Sequence, residues 1–153
     1  MVGIVIVSHS QRLAEGVVEI AKMMAPEARI AAAGGLEDGT AGTSFDRILA
    51  ACEAVDAGDG VAVLMDMGSA VMTTEMVVEA LENRTVKMLD APLVEGAVLA
   101  AVEAQAGTSL DGIEARIHEA RDVKKLAWCS SFYNINRNTH VFDQRMRMQE
   151  SEG

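Results

Sequence analysis

Gly3-Ile4-Val5-Ile6-Val7-Ser8-His9-Ser10 is the stretch on which the reading of this chain turns. Gly3–Val7 is apolar throughout and mostly branched at Cβ. That predicts a strand covered on both faces, because a half-exposed strand would alternate apolar and polar residues. Polar Ser8-His9-Ser10 ends it, and a helical period follows at once. Leu13, Val17, Ile20, Ala21 and Met24 fall on one expected apolar face, with Glu15, Glu19 and Lys22 elsewhere, and Pro26 closes the helix. Either Ser8 or Ser10 could be its N-cap, and Gln11 three residues after Ser8 supports the first choice. A buried strand, a short polar turn and an amphipathic helix form the opening unit of a parallel α/β sheet.

Moving outward, the pattern repeats. Arg29–Ala33 reads as a second strand and Gly34–Gly42 (GGLEDGTAG) as a loop. Thr43, with Asp46 three residues on, looks like the N-cap of a helix lined by Phe45, Ile48, Leu49, Cys52 and Val55. Gly60–Met65 (GVAVLM) is the clearest core strand, and Asp66-Met67-Gly68-Ser69 turns from it into a helix reaching about Leu81. Thr85–Leu89 is a fourth strand. After Pro92 come a helix over Val94–Ala106 and a last one carrying Leu110, Ile113, Ile117 and Ala120. The expected fold is α/β, a four-stranded, mainly parallel open sheet flanked by helices. No internal repeat interrupts it.

The chain has 153 residues, half of them hydrophobic, with five aromatics and ten methionines, so aliphatic side chains and adaptable Met must fill the core. Thirteen basic against 23 acidic residues leave a net charge of −10, which repels phosphate backbones and anionic headgroups. Nucleic acid and membrane are thereby excluded as expected partners. Cys52 and Cys129 show neither metal-ligand spacing nor a disulfide framework. Met1–Val7 lacks a basic flank and is too short for a signal peptide or a membrane span, so a cytoplasmic setting is expected. Composition breaks near residue 127: Phe45 is the one aromatic before it, whereas Trp128, Phe132, Tyr133 and Phe142 follow. The charge breaks there too, with all of the net −10 in residues 1–127. We read 1–127 as the domain and 128–153 as an irregular C-terminal appendage.

In open parallel sheets ligands bind outside the carboxyl ends of the strands, where strand order reverses. His9 is the one histidine at such a place, between a buried strand and a helix N-terminus that favours a bound anion. Asp66 ends another core strand at the same edge. Each has an ordinary reading, turn residue or helix cap; together they offer a nucleophilic imidazole and a carboxylate that fixes its tautomer. No G-x-x-x-x-G-K-[ST] or G-x-G-x-x-G occurs, and Ser69 lacks the G-x-S-x-G setting of a hydrolase nucleophile. His118 lies among Glu114, Glu119 and Arg121 and reads as a solvated residue, while His140 lies in the appendage. No ligand cluster for a metal stands out, and no cofactor is expected. Backbone N–H groups at Gly68 and Ser69 could approach the oxygens of a bound anion, because glycine permits close contact. Thr43 is either a hydroxyl donor to the same group or simply a cap.

Ile4-Val5-Ile6-Val7-Ser8-His9-Ser10, with Leu13-Ala14-Glu15-Gly16, resembles the opening of mannose-type IIA phosphotransferase domains. Gly42-Thr43, Val63-Leu64-Met65-Asp66-Met67-Gly68-Ser69-Ala70 and Ala91-Pro92-Leu93-Val94-Glu95-Gly96-Ala97 narrow it. Together these stretches are similar to the phosphoryl-donor subunits of phosphotransferase-dependent dihydroxyacetone kinase. The resemblance runs from residue 1 to about 122. It implies that His9 accepts a phosphoryl group from the phosphocarrier HPr and passes it to ADP on the kinase's nucleotide-binding subunit. It also implies that Asp66 orients His9, that Ser10, Thr43, Gly68 and Ser69 hold the phosphoryl group, and that the chain is a homodimer. Some relatives continue into fused HPr-like and Enzyme I-like domains, whose patterns are absent from 124–153. Two other classes compete: a IIA domain of a mannose-class sugar transporter, and a non-catalytic α/β interaction module in which His9 and Asp66 are only turn and cap.

Overall fold

The computed structural model describes residues 1–126, so the expected appendage over 128–153 lies outside the described residues. The elements run β1 (Gly3–Ser8), α1 (Gln11–Met24), β2 (Ile30–Gly34), α2 (Phe45–Val55), β3 (Val61–Met65), α3 (Ser69–Ala80), β4 (Val86–Met88), α4 (Leu93–Gln105) and α5 (Leu110–Arg116). A 3-10 turn over Ile117–Arg121 continues the last helix, so the expected single helix through Ala120 is a short α-helix that tightens. The four strands form one sheet in the order β2-β1-β3-β4, and every pairing is parallel.

β1 and β3 lie in the middle and account for the unbroken apolar runs. Ile4 and Ile6 point to one face with Ala62 and Leu64, where α1 and α4 cover them. Val5 and Val7 point to the other with Val61 and Val63, against Ile48, Cys52, Ala70 and Val77 of α2 and α3. All four side chains of Ile4–Val7 are fully buried, as a strand between two helical layers requires.

The first helix corrects one expectation. Val17 and Ala21 face inward as expected, but Leu13 and Ile20 are 46% and 45% exposed, and Ala14 takes their place in the core. The reason lies in its neighbour: α1 packs along α4, whose buried side is Ala97, Ala100, Ala101 and Ala104. Two alanine-lined surfaces pack closely, and the larger aliphatic residues are left on the shoulder of the helix. Gly34 at the end of β2 serves the same close packing. A Cβ there would sit 2.5 Å from the Ser10 carbonyl oxygen and 2.8 Å from Ala14 Cβ.

Candidate functional site

The chain leaves β1 through α1 toward β2 on one side, and leaves β3 through α3 toward β4 on the other. The strand order therefore reverses between β1 and β3, which opens a crevice at their carboxyl ends. His9 follows β1 and Asp66 follows β3, and the extended pairing of Asp66 N–H with the Val7 carbonyl (3.1 Å) brings the two side chains together.

The Asp66 carboxylate is held by four donors. Oδ2 accepts from the Ser8 hydroxyl and from the His9 backbone N–H, each at 2.9 Å. Oδ1 accepts from the Met67 N–H at 2.7 Å and meets His9 Nδ1 at 2.9 Å. Burial alone would push this carboxyl up. The N–H groups of His9 and Met67, the Ser8 hydroxyl and the His9 ring outweigh burial and hold it below the ordinary carboxylate range. An ionised carboxylate can only accept, so the proton in the Asp66–His9 bond sits on Nδ1. In the neutral ring, Nε2 then carries the lone pair. It faces the Ser69 hydroxyl at 2.7 Å.

Ser69 opens α3, and Gly68 sets its angle of entry. Gly68 has φ +47° and ψ −111°, a region that side-chain-bearing residues rarely adopt. Among the described residues neither the Gly68 nor the Ser69 N–H donates to the protein, as expected at a helix start, so both remain available to a ligand. Opposite them, the loop between β2 and α2 is tied down by the Gly42 N–H to the His9 carbonyl (2.9 Å) and by a bridge between Gly35 and Thr43. Thr43 Oγ1 therefore lies 3.3 Å from Ser69 Oγ and 3.1 Å from Thr73 Oγ1.

One cap differs from expectation, and another settles an open choice. Ser44, not Thr43, caps α2 by accepting from the Arg47 N–H at 3.3 Å. That leaves the Thr43 hydroxyl for the site. At α1 the cap is Ser10, the second of the two candidates, whose oxygen accepts from the Leu13 N–H at 3.2 Å. Ser8 is instead fully buried beneath Asp66. The structure thus gathers His9, Asp66, Ser69 and Thr43, with Gly68 as hinge, while the Ser10 hydroxyl caps α1 beside them. Ser8 as a partner of Asp66, and Thr73, were missed. Ser8 lies within a recognised stretch and Thr73 within the expected third helix, but a hydroxyl's bonding depends on tertiary neighbours that no spacing announces.

Around this cluster the surface is open. The His9 side chain is 29% exposed, and Met67, Met72 and Met76 stand clear of the core. An adjoining cleft of about 530 Å³, lined by Ser10, Gln11, Arg12, Glu15 and Gly39–Ala41, does not include the His9 ring, Asp66 or Ser69. His118 is exposed on the 3-10 turn, on a different element. Among the described residues no group of three or more His, Cys, Asp or Glu is arranged to hold a metal ion, and no helix is long and apolar enough to cross a membrane.

Known proteins share this fold and much of this sequence. Residues 3–114 match the model of the family described as PTS system fructose IIA component. The chain is 44% identical over 103 residues to a phosphoryl donor subunit DhaM of PEP-dependent dihydroxyacetone kinase from Listeria innocua, covering 67% of this chain and 82% of that one. It is 37% identical over 156 aligned positions to the corresponding Escherichia coli subunit, covering 96% of this chain but only 33% of that one. The chain thus spans about a third of the length of the E. coli relative. Among solved structures, the phosphotransferase system component EIIA from Streptococcus agalactiae superimposes with a TM-score of 0.63 at 15% identity, over 84% of this chain and all of that one, which shows a shared fold.

Proposed function

This chain belongs to the PTS system fructose IIA component family, and within it to the DhaM-type phosphoryl donor subunits, and we propose that it works as a phosphohistidine carrier in dihydroxyacetone phosphorylation. The donor is phosphorylated HPr and the acceptor is ADP held on the kinase's nucleotide-binding subunit. The observation that carries the reading is the Asp66–His9–Ser69 line, in which the carboxylate meets Nδ1 and Nε2 is turned to the Ser69 hydroxyl at a partly exposed surface.

In the first step the Nε2 lone pair attacks phosphorus as the donor's P–N bond breaks. A new P–N bond forms on His9, and the electron pair returns to the donor's ring. Positive charge grows on the His9 imidazole and is met through Nδ1–H by the Asp66 carboxylate. The phosphoryl oxygens can take the open N–H groups of Gly68 and Ser69 and the hydroxyls of Ser69 and Thr43. In the second step a β-phosphate oxygen of ADP displaces Nε2 and the ring returns neutral. Both steps are positioning and electrostatics, as phosphoryl transfer generally is. A partly exposed imidazole suits exchange between proteins, because each partner can bring its reacting atom to within bonding reach.

The same reading places the protein in the cytoplasm as a homodimer, with residues 1–127 sufficient for transfer and 128–153 dispensable. Exposed Leu13 and Ile20 on α1 supply apolar surface for a two-fold contact. The decisive experiment mixes the protein with Enzyme I, HPr and labelled phosphoenolpyruvate, then adds either the ADP-loaded kinase subunit or a mannose-class IIB domain. Labelling followed by discharge to the kinase subunit is expected. Discharge only to the IIB domain would move the protein to sugar transport, and absence of labelling would reject the carrier chemistry.

A further inference from the structure

Ser8 has no role in the carrier chemistry as described, yet it lies behind its central pair. It is the last residue of β1, fully buried, and one of few buried polar side chains among the described residues. Its hydroxyl has two partners. The Ser10 N–H donates to Ser8 Oγ at 3.0 Å, and Ser8 Oγ lies 2.9 Å from Asp66 Oδ2. A hydroxyl has one proton, and an N–H cannot accept it, so the Ser8 proton points at the carboxylate. The direction of this bond follows from its partners.

We propose that Ser8 is a positioning residue for His9, acting through Asp66. The proposal rests on the carrier reading above and adds to it what holds the carboxylate in place. Asp66 has about four acceptor directions, and the four donors around it fill them. Three are on the segment Ser8–His9 and one is the Met67 N–H. The two backbone donors stay wherever the chain goes. The Ser8 hydroxyl is the one side-chain donor to Oδ2, and it pins the carboxylate against rotation about Cβ–Cγ. With that rotation blocked, Oδ1 stays aimed at Nδ1, the proton stays on Nδ1, and the lone pair stays on Nε2. The Ser10 N–H adds a further link, since it belongs to the residue that caps α1. The carboxylate is thereby anchored to the start of the helix as well as to β1.

The ordinary alternative is that Ser8 only satisfies the Ser10 N–H at the end of a buried strand. The two are separated by Ser8→Ala, with Ser8→Cys as a near-isosteric variant whose thiol is a weak donor. Three quantities are measured: unfolding by urea, the rate and KM of labelling from phosphorylated HPr, and the ¹⁵N signals of the His9 ring in the unphosphorylated protein. Positioning predicts a maximal rate about tenfold lower in the alanine protein, the scale of one hydrogen bond to a charged group. KM for HPr stays within about twofold, since no docking surface changes. The ring signals move from the pure Nδ1–H tautomer toward a tautomer mixture, and Ser8→Cys falls between. A folded variant with lower urea resistance but unchanged rate and ring signals would overturn the proposal; if alanine unfolds the chain, the cysteine protein decides. The ring signals need no partner protein. Failure of wild-type labelling would therefore reject the carrier reading while leaving the Ser8 measurement intact.

Discussion

Asp66 and Glu103 are both carboxylates drawn into the protein, and they are held in opposite ways. Glu103, on α4, is 6% exposed; it pairs with the Arg116 guanidinium from α5 and accepts from the Thr108 hydroxyl at 2.7 Å. A permanent cation neutralises it, and the pair clamps α5 to α4. Asp66 has no such cation. Its other donors are neutral, and its one titratable partner is the His9 ring. The charge of Glu103 is spent on structure, whereas that of Asp66 remains available to an imidazole that becomes positive during transfer. Both side chains are largely covered, Asp66 15% and Glu103 8% exposed, so it is the chemistry of the partners that separates a strut from a reacting group.

The sharpest way to break this contrast is at the ring itself. His9→Ala is expected to abolish acid-labile labelling from HPr, while His118→Ala, on the exposed 3-10 turn, leaves it unchanged. Labelling that persists without His9 would make the Asp66 cluster another structural clamp.

Next come the two carboxylates. Asp66→Asn keeps the shape but replaces an acceptor by a mixed group, so the ring loses its fixed tautomer and the charge that meets the transition state. Removing the orienting aspartate costs about 10⁴ in a serine protease; a loss of about 10²–10³ in transfer rate is expected here, since no proton leaves the nucleophile. The stability cost carries a sign. The folded-state value of Asp66 is lowered, so its contribution is present above the ordinary carboxylate range and is lost as pH falls through the lowered value. Urea denaturation of wild type and Asp66→Asn should therefore differ most near neutral pH and converge in acid. Equal differences at both would contradict the lowered value.

Glu103→Gln should do the reverse. It leaves Arg116 without one of its carboxylates, yet Glu119 also pairs with that guanidinium and the side chain is 35% exposed. The cost should be about 2 kcal/mol, below the loss for a fully enclosed pair, with the labelling rate unchanged. A folded Glu103→Gln protein that transfers slowly would erase the distinction between the two carboxylates.

How much of this was legible in the sequence follows from what each signal depends on. Ile4–Val7 and Val61–Met65 were readable because burial on both faces leaves an unbroken apolar run. His9 and Asp66 were readable because they end those runs at the same edge. The side of α1 that meets the core was only partly readable: Val17 and Ala21 are buried as expected, but close helix packing favours Ala14 over the more hydrophobic Leu13 and Ile20. The α2 cap was placed one residue early, as Thr43 and Ser44 carry the same group and only the loop's closure on His9 decides between them. Ser8 and Thr73 acquire partners 58 and 30 residues away, which local pattern cannot report.

The smallest expected effect concerns Thr73, which touches the ring only through two other hydroxyls. If Ser69 donates to Nε2, its oxygen is left to accept from Thr43, and Thr43 in turn from Thr73. The longest link is 3.3 Å, so the line is weaker at its outer end than the bonds on Asp66. Thr73→Val removes the outermost hydroxyl at nearly constant shape. Thr43 then loses a donor and can turn from Ser69, and the maximal labelling rate should fall about two- to threefold, a fraction of one neutral hydrogen bond. Thr73→Ser should restore it. Thr43→Val, one step nearer the ring, should cost more than Thr73→Val, because it also removes a donor to the phosphoryl oxygens. If the order is reversed, the line of hydroxyls does not run inward to Nε2, and Thr73 serves the packing of α3 against the β2–α2 loop instead.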